Sequence, residues 1–530
     1  MSAPPGRTLL VVLACVSAAA AGAAPRPANV VVTPPGGQVH GGLVARDPSH
    51  PARLVAVYWD ELRERRETCT VARSFDGGAT WTSEAFAGAG SGNPLPSGMT
   101  LCRNPVAAFG PDGALYVAYE AAQLSGFAHV ELVRSTDDGA SFGSARILDP
   151  DATGGGDRDP SIAVGTRTGR VYVAFERYTA DEEQAEVDVV TSDGGAPVPV
   201  SPPEQNAAGS RAALAVDGAG RVYAAWVDGA GVDVDEGGGT ARIEVASSPA
   251  SGQGFGAAQA VAAVPSGCGP NDDCGNRYPE VSIAATGRGR VAAAWSSAAF
   301  PDPARVSSAR SVDGGRSWTA PKAVAGAAAA DRDQHAPALS VAPDGRLDLA
   351  YLEQARDADN GLVDAYLVHS LDGGKTFSRP LLLDDTPSIT DRGYFDAAVS
   401  VASSNASAFA TWIDGRRGNG GAATSDVVFA ARRDSNAPAA PVVRGALLVR
   451  AGRTATYRLS SRDGFTPAAA LRFRCALDGA PLRLCSARFM PRLAPGRHVL
   501  RAQAVDAAGN RSPLTRTVVV VLPRATPKPR

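Results

Sequence analysis

Six short segments of the 530-residue chain place an arginine where a strand-like run begins: CRNP (102–105), DRDP (157–160), SRAA (210–213), NRYP (276–279), DRDQHAP (331–337) and DRGYFD (391–396). The arginines are Arg103, Arg158, Arg211, Arg277, Arg332 and Arg392. A guanidinium is a planar fork that grips a carboxylate through two parallel hydrogen bonds. A set of such forks predicts one of two things. Either it clamps an acidic ligand, or it pairs with the neighbouring Asp157, Asp159, Asp331, Asp333, Asp391 and Asp396 and stitches repeats together. Recurrence in six places weighs toward stitching, because a catalytic site needs a single copy. Tyr278 with Glu280, and Tyr394, stand in the same segments. Acids also close the strands that return to this end: Asp60, Glu61, Glu120, Glu176, Glu353 and Asp414.

Other chemistries are excluded by composition. The chain has 52 Lys+Arg against 54 Asp+Glu, a net charge of −2, so nucleic acid, which demands a dense basic surface, is not expected as a partner. At 44% hydrophobic and 20% charged there is ample apolar material for a core. The histidines are scattered and no cysteine has CxxC spacing, so no metal centre and no cofactor are expected. The run VDVDEGG (232–238) could hold a structural calcium but lacks the ligand order of a known loop, which favours a solvated loop.

Arg7, the apolar run 9–21 and the small residues 21–24 have the layout of a secretory signal over 1–24, so export is expected. Cys15 offers an alternative, lipoprotein anchoring. No later run is long enough to span a membrane. Outside the signal, six cysteines remain, and in an exported chain disulfides are the default. Cys268 and Cys274 flank one short loop, Cys475 and Cys485 another, which leaves Cys69 and Cys102.

The elements that must position these residues repeat. A strand ending in an aromatic recurs seven times: LVAVYWDE (54–61), ALYVAYE (114–120), RVYVAFE (170–176), RVYAAWVD (221–228), RVAAAWSS (290–297), RLDLAYLE (346–353) and SAFATWID (407–414). Most are preceded by a strand and a Gly-containing turn, which is hairpin text, and followed by a third strand. That third strand leads into SFDGGATW (74–81), STDDGASF (135–142), SVDGGRSW (311–318) and SLDGGKTF (370–377). This S-x-D-x-G-x-[ST]-[WF] phrase resembles the Asp box of the sialidase superfamily, in which such turns decorate β-propeller blades. TSDGGAPV (191–198) and SSPASGQGF (247–255) look like degenerate copies. With a fourth strand after each box, the resemblance implies an all-β, seven-bladed sialidase-like β-propeller over 28–434. Six blades, the sialidase number, is the alternative. The last repeat lacks a fourth strand, and ANVVVTPP (28–35) is predicted to supply it.

Alternating strand direction puts the arginines, the strand-end acids and both Cys69 and Cys102 on one face, with the Asp boxes on the other. The Cys69–Cys102 pair should therefore bridge adjacent blades. The resemblance also assigns roles: arginines that clamp a carboxylate (Arg103, Arg158, Arg277, Arg332, Arg392), a tyrosine nucleophile (Tyr278 or Tyr394) and an assisting glutamate (Glu280). No full [FY]-R-I-P is present. After a linker over 435–441, the alternating text of 442–523 resembles a bacterial Ig-like β-sandwich, and 524–530 reads as a disordered tail. The expected function is a secreted, monomeric protein that recognises a glycan or anionic polymer at the channel mouth. An active exo-sialidase or other glycoside hydrolase, and a non-catalytic structural surface protein, are the alternatives.

Overall fold

The computed structural model describes residues 28–524 except 63–65, 89–90, 92–94, 97, 153, 180–183, 203, 206–211, 230–238, 250–253, 267–279, 299–301, 325–331, 355–361, 390–397 and 416–424. The expected signal (1–24), the VDVDEGG run, Cys268, Cys274, Arg211, Arg277, Tyr278, Arg392 and Tyr394 lie outside the described residues, as does nearly all of 524–530. The described part is all β, with no helix.

Up to Arg433 the strands follow one plan. Three long antiparallel strands meander outward, and an outer strand completes the group, as in Val39–Arg46, Leu54–Leu62, Arg66–Ser74 and Thr82–Gly88. Groups of this plan recur, beginning at Leu101–Phe109, Gly156–Val164, Ala213–Val216, Glu280–Gly287, Gln334–Val341 and Val399–Ser403. We number these units 1 to 7. The first strand of each unit contacts that of the next, and the first strand of unit 7 contacts that of unit 1. No sheet closes on itself among the described residues, although short parallel bridges, Glu67 with Leu101 and Ala128 with Gly156, join units 1 to 3 into one sheet. In unit 7 the outer position belongs to Val30–Val31, with Val30 opposite Phe429 and Val31 opposite Val428. Thr33 donates to Asp426 at 2.8 Å and extends that junction.

Second strands are buried on both faces, which is why their text is continuously apolar: Val222–Asp228 is buried up to its last residue. Their aromatics fill the space between units, with Trp295, Trp412, Tyr119, Tyr351 and Phe175 essentially inaccessible. Four outer strands are shorter than the sequence suggests, unlike Thr82–Gly88 and Gln259–Ser266. Arg146–Ile147, Val198–Pro199, Lys322–Ala323 and Leu381–Leu382 have two residues each. As sheet edges with little to bury, they gain little from lengthening.

The four S-x-D-x-G-x-[ST]-[WF] turns share one hydrogen-bond scheme. In unit 1, Ser74 Oγ donates to Asp76 and accepts from Gly78 N, while Asp76 accepts from the Ala79 and Thr80 amides and from Thr80 Oγ1. These bonds, Thr80 foremost, pull the Asp76 carboxyl down to about 2. Gly78 has φ +89°, and a Cβ there would lie 2.0 Å from the Phe429 ring of unit 7. Trp81 packs edge-on against the same ring at 5.3 Å, and Phe142 of unit 2 meets Phe86 of unit 1 at 5.0 Å. These two turn aromatics thus press on the preceding unit.

Beyond residue 441, Val442–Arg444, Tyr457–Ser460 and Arg488–Phe489 form one sheet. Leu448–Arg450, Thr515–Leu522, Gly496–Val505, Arg472–Leu477 and Arg483–Cys485 form a second. Val443 and Phe489 pack into the cores of both.

Candidate functional site

The registers put the first-strand starts and second-strand ends on one face, which we call upper. Arg103 pairs with Glu120 and Arg158 with Glu176. The aspartate turns follow the third strands on the lower face, since Leu54 and not Asp60 stands opposite Ser74.

Each first strand of units 2, 3 and 6 breaks register near its start, after Arg103, Arg158 and His335. The next residue turns left-handed, with φ 46° at Asn104, 52° at Asp159 and 50° at Ala336. Each precedes a proline, which disfavours the right-handed helical alternative. The bulge swings an amide toward the neighbouring unit, where a carboxylate takes it. Asp159 N donates to Glu120 of unit 2 at 2.6 Å, and Ala336 N to Glu280 of unit 5 at 2.6 Å. Asn104 Nδ2 also donates to Glu120 at 2.7 Å and to Asp159 at 3.2 Å. Glu280, an expected catalytic group, thus serves as an acceptor between units.

The described arginines differ in what they hold. Arg103 donates through Nε and Nη2 to both oxygens of Glu67, on the third strand of unit 1. That pair raises its pKa. The Cys69–Cys102 disulfide lies beside it, with Cα atoms 5.5 Å apart, so one junction carries an ion pair and a covalent tie. Arg158 stacks 4.7 Å over the Tyr178 ring and donates to Gly126 O at 2.9 Å. Arg332 lies three residues before the bulge, where His335 occupies the position that Arg103 and Arg158 hold in their units. Its Nη1 is 3.8 Å from Glu353.

Three features were not visible in the sequence. His40 stacks on Trp59 at 4.0 Å with the rings 15° apart, and Arg103 lies over the same indole at 5.7 Å. The Arg103 side chain keeps 39% of its surface exposed, and its Nη1 has no hydrogen-bond partner among the described residues. Arg177 gathers four acids: Asp149 at 2.7 Å, Asp188 at 2.8 Å, Glu186 at 3.3 Å and Asp157 at 3.8 Å. Burial, with repulsion from Asp149, pushes the Asp157 carboxyl up to about 8, so it keeps its proton at neutral pH. Asp157 and Asp188 are fully buried and out of reach of any ligand. Third, a polar cavity of about 160 Å³ opens on the lower face between Asp47, His50, Arg53, Asp112, Arg134 and Asp138. Within it Asp47 is satisfied by Ser49 and His50.

No protein-family model matches the sequence, and no curated protein matches it. Solved structures do resemble the chain. One is a protein of unknown function from Dyadobacter fermentans, 16% identical, covering 77% of this chain and 98% of its own, with a TM-score of 0.44. Another is a family PL25 ulvan lyase, 11% identical, covering 72% and 93%, with a TM-score of 0.43. A third is the GH93 α-L-arabinofuranosidase of Fusarium graminearum, 11% identical, covering 64% and 95%, with a TM-score of 0.41.

Proposed function

We propose that the chain is an exported, monomeric, seven-bladed β-propeller of the sialidase-like type that binds a glycan on its upper face. In this reading residues 28–434 are the propeller, 435–441 a linker and 442–523 an Ig-like module that spaces or docks it. The seven units with successive first-strand contacts support the blade count, and the shared aspartate-turn scheme supports the kinship with Asp-box proteins. Two disulfides among the described residues accord with export. Among the described residues no helix is long and apolar enough to cross a membrane.

One observation carries the binding reading: Arg103 is held rigid by Glu67 and flanked by Trp59, yet its side chain is 39% exposed and its Nη1 has no hydrogen-bond partner among the described residues. A guanidinium oriented by a carboxylate offers directed donors to hydroxyl oxygens, and its charge is already balanced. That favours a hydroxyl-rich glycan over a polyanion. Arg158, Arg277, Arg332 and Arg392, with Tyr278 and Tyr394, extend the same face in this reading. Binding is favoured over hydrolysis because Glu280 is engaged by a backbone amide and the proton-holding Asp157 is buried.

Arg103→Lys tests it. The ammonium keeps the charge beside buried Glu67 but loses the fork, so glycan retention should fall about tenfold with little change in melting temperature. A glycan array carrying neutral and acidic sugars reads the outcome. A wild type that retains no glycan, or a variant that binds as well as wild type, ends the proposal.

A further inference from the structure

Where unit 7 runs into the C-terminal sheets, three aspartates from distant parts of the chain converge. Asp434 follows the last strand of unit 7, Asp463 follows Tyr457–Ser460, and Asp506 follows Gly496–Val505. Carboxylate oxygens of the three lie within 4.8 Å of one another. Each acid spends one oxygen on its own turn: Asp434 Oδ1 accepts from Asn436 N, Asp463 Oδ2 from the Phe465 and Thr466 amides, and Asp506 Oδ1 from Asn510 N. The other oxygen of each, Asp434 Oδ2, Asp463 Oδ1 and Asp506 Oδ2, is buried without a hydrogen-bond partner among the described residues. Asp506 is fully buried and Asp434 is 7% exposed, so at least two of these orphaned oxygens belong to side chains more than nine-tenths buried.

Among the described residues no side-chain cation forms an ion pair with them. The nearby Arg346 is spent on Asp348, which its Nε meets at 2.8 Å, and on the carbonyls of Ser404, Asn405 and Ser407. Orphaned carboxylate oxygens in a buried cluster are costly unless something positive sits among them. Ligands of calcium stand about 2.3–2.6 Å from the ion, so oxygens on opposite sides of it are about 4.6–5.2 Å apart, which accommodates the observed spread. We propose that Asp434, Asp463 and Asp506 hold a calcium ion that clamps the C-terminal sheets to unit 7.

The surrounding junction is already built for a fixed orientation. Phe465 packs against His369 of unit 6, with centroids 5.4 Å apart, and lies 3.7 Å beneath the Arg346 guanidinium. His369 Nε2 is 2.7 Å from Gly464 O, and Asn510 Nδ2 donates to the carbonyls of Asp434 and Asn436 at 3.1 and 3.2 Å. A calcium ion joins the three loops that carry these contacts. It also relieves the repulsion that they otherwise suffer.

The mature full chain is melted in millimolar calcium and in EDTA, as wild type, Asp463→Asn and Asp506→Asn. Wild type should melt several degrees higher with calcium. Asp463→Asn should lose that shift, and in EDTA it should melt at or above wild type because one of three repelling charges is gone. Equilibrium dialysis with radioactive calcium should count one ion fewer on Asp463→Asn than on wild type, which separates this site from any other in the chain. Asp463 is the least buried of the three, so its variant carries the test if Asp506→Asn does not fold. An absent calcium shift in wild type, or equal ion counts in wild type and Asp463→Asn, overturns the proposal.

Discussion

Asp157 shows how far burial can override a carboxylate's ordinary chemistry. Its folded pKa of about 8 lies well above the value of about 3.9 for an unfolded aspartate. Between those limits the folded chain binds the extra proton, so the stability linked to Asp157 is present at low pH and is lost as pH rises through 8. Asp157→Asn keeps the neutral shape and removes the titration. Its melting temperature should therefore exceed that of wild type increasingly from pH 5 to pH 8 and by a constant margin above that, and parallel curves between pH 5 and pH 8 would refute the assignment. At this scale the sequence was only partly legible. It announced arginines beside acids, but Glu67, which Arg103 grips, stands 36 residues away and is none of the acids adjacent in sequence. The four acids of Arg177 come from two strands, Gly156–Val164 with Asp157 and Gln184–Thr191 with Glu186 and Asp188, and from Asp149 beyond Arg146–Ile147, and the three aspartates of the junction are 29 and 43 residues apart, so no single local motif betrays either cluster. The His40–Trp59 stack was equally hidden, because the two rings meet only through the register that sets them opposite each other.

Elements were far more legible, because each second strand is apolar on both faces and ends in an aromatic that the interior demands. The bulges were not. An Asn or Asp directly before proline is a signal for a left-handed kink, but Ala336 carries the same φ without that side chain, so tertiary packing must impose it. The assignment of 28–35 rested on a missing outer strand in the last repeat, and the pairing of Val30–Val31 with Asp426–Arg433 supplies one. Val32 N adds a bond to Val427 O at 2.8 Å, and Val32 itself is buried with Phe409, Val427 and Phe429. Removing residues 28–35 therefore strips both hydrogen bonds and apolar cover from a strand edge. The truncated chain should melt at least several degrees lower and aggregate more readily. An unchanged melting curve would show that the segment adds nothing.

On the scale of the whole molecule, the two described disulfides restrain different things. Cys69–Cys102 spans 33 residues and ties unit 1 to unit 2, whereas Cys475–Cys485 spans 10 and stays within one sheet of the C-terminal part. On a chain-entropy estimate the first contributes about 4 kcal/mol and the second about 3 kcal/mol, the longer loop costing the unfolded chain more freedom. Their effects should also fall on different transitions. Each unit leans on its neighbours through first-strand contacts, reinforced at some junctions by turn aromatics or bulge amides, so loosening the first junction weakens the support of the rest. The Cys69→Ser/Cys102→Ser double variant should therefore lower the main calorimetric transition as one cooperative event. Cys475→Ser/Cys485→Ser should shift a separate, smaller transition belonging to residues 442–523 and leave the main one nearly in place. If both variants move a single shared transition, the C-terminal sheets melt together with the seven units, and the division of the chain at 435–441 fails as a boundary between independently folding parts.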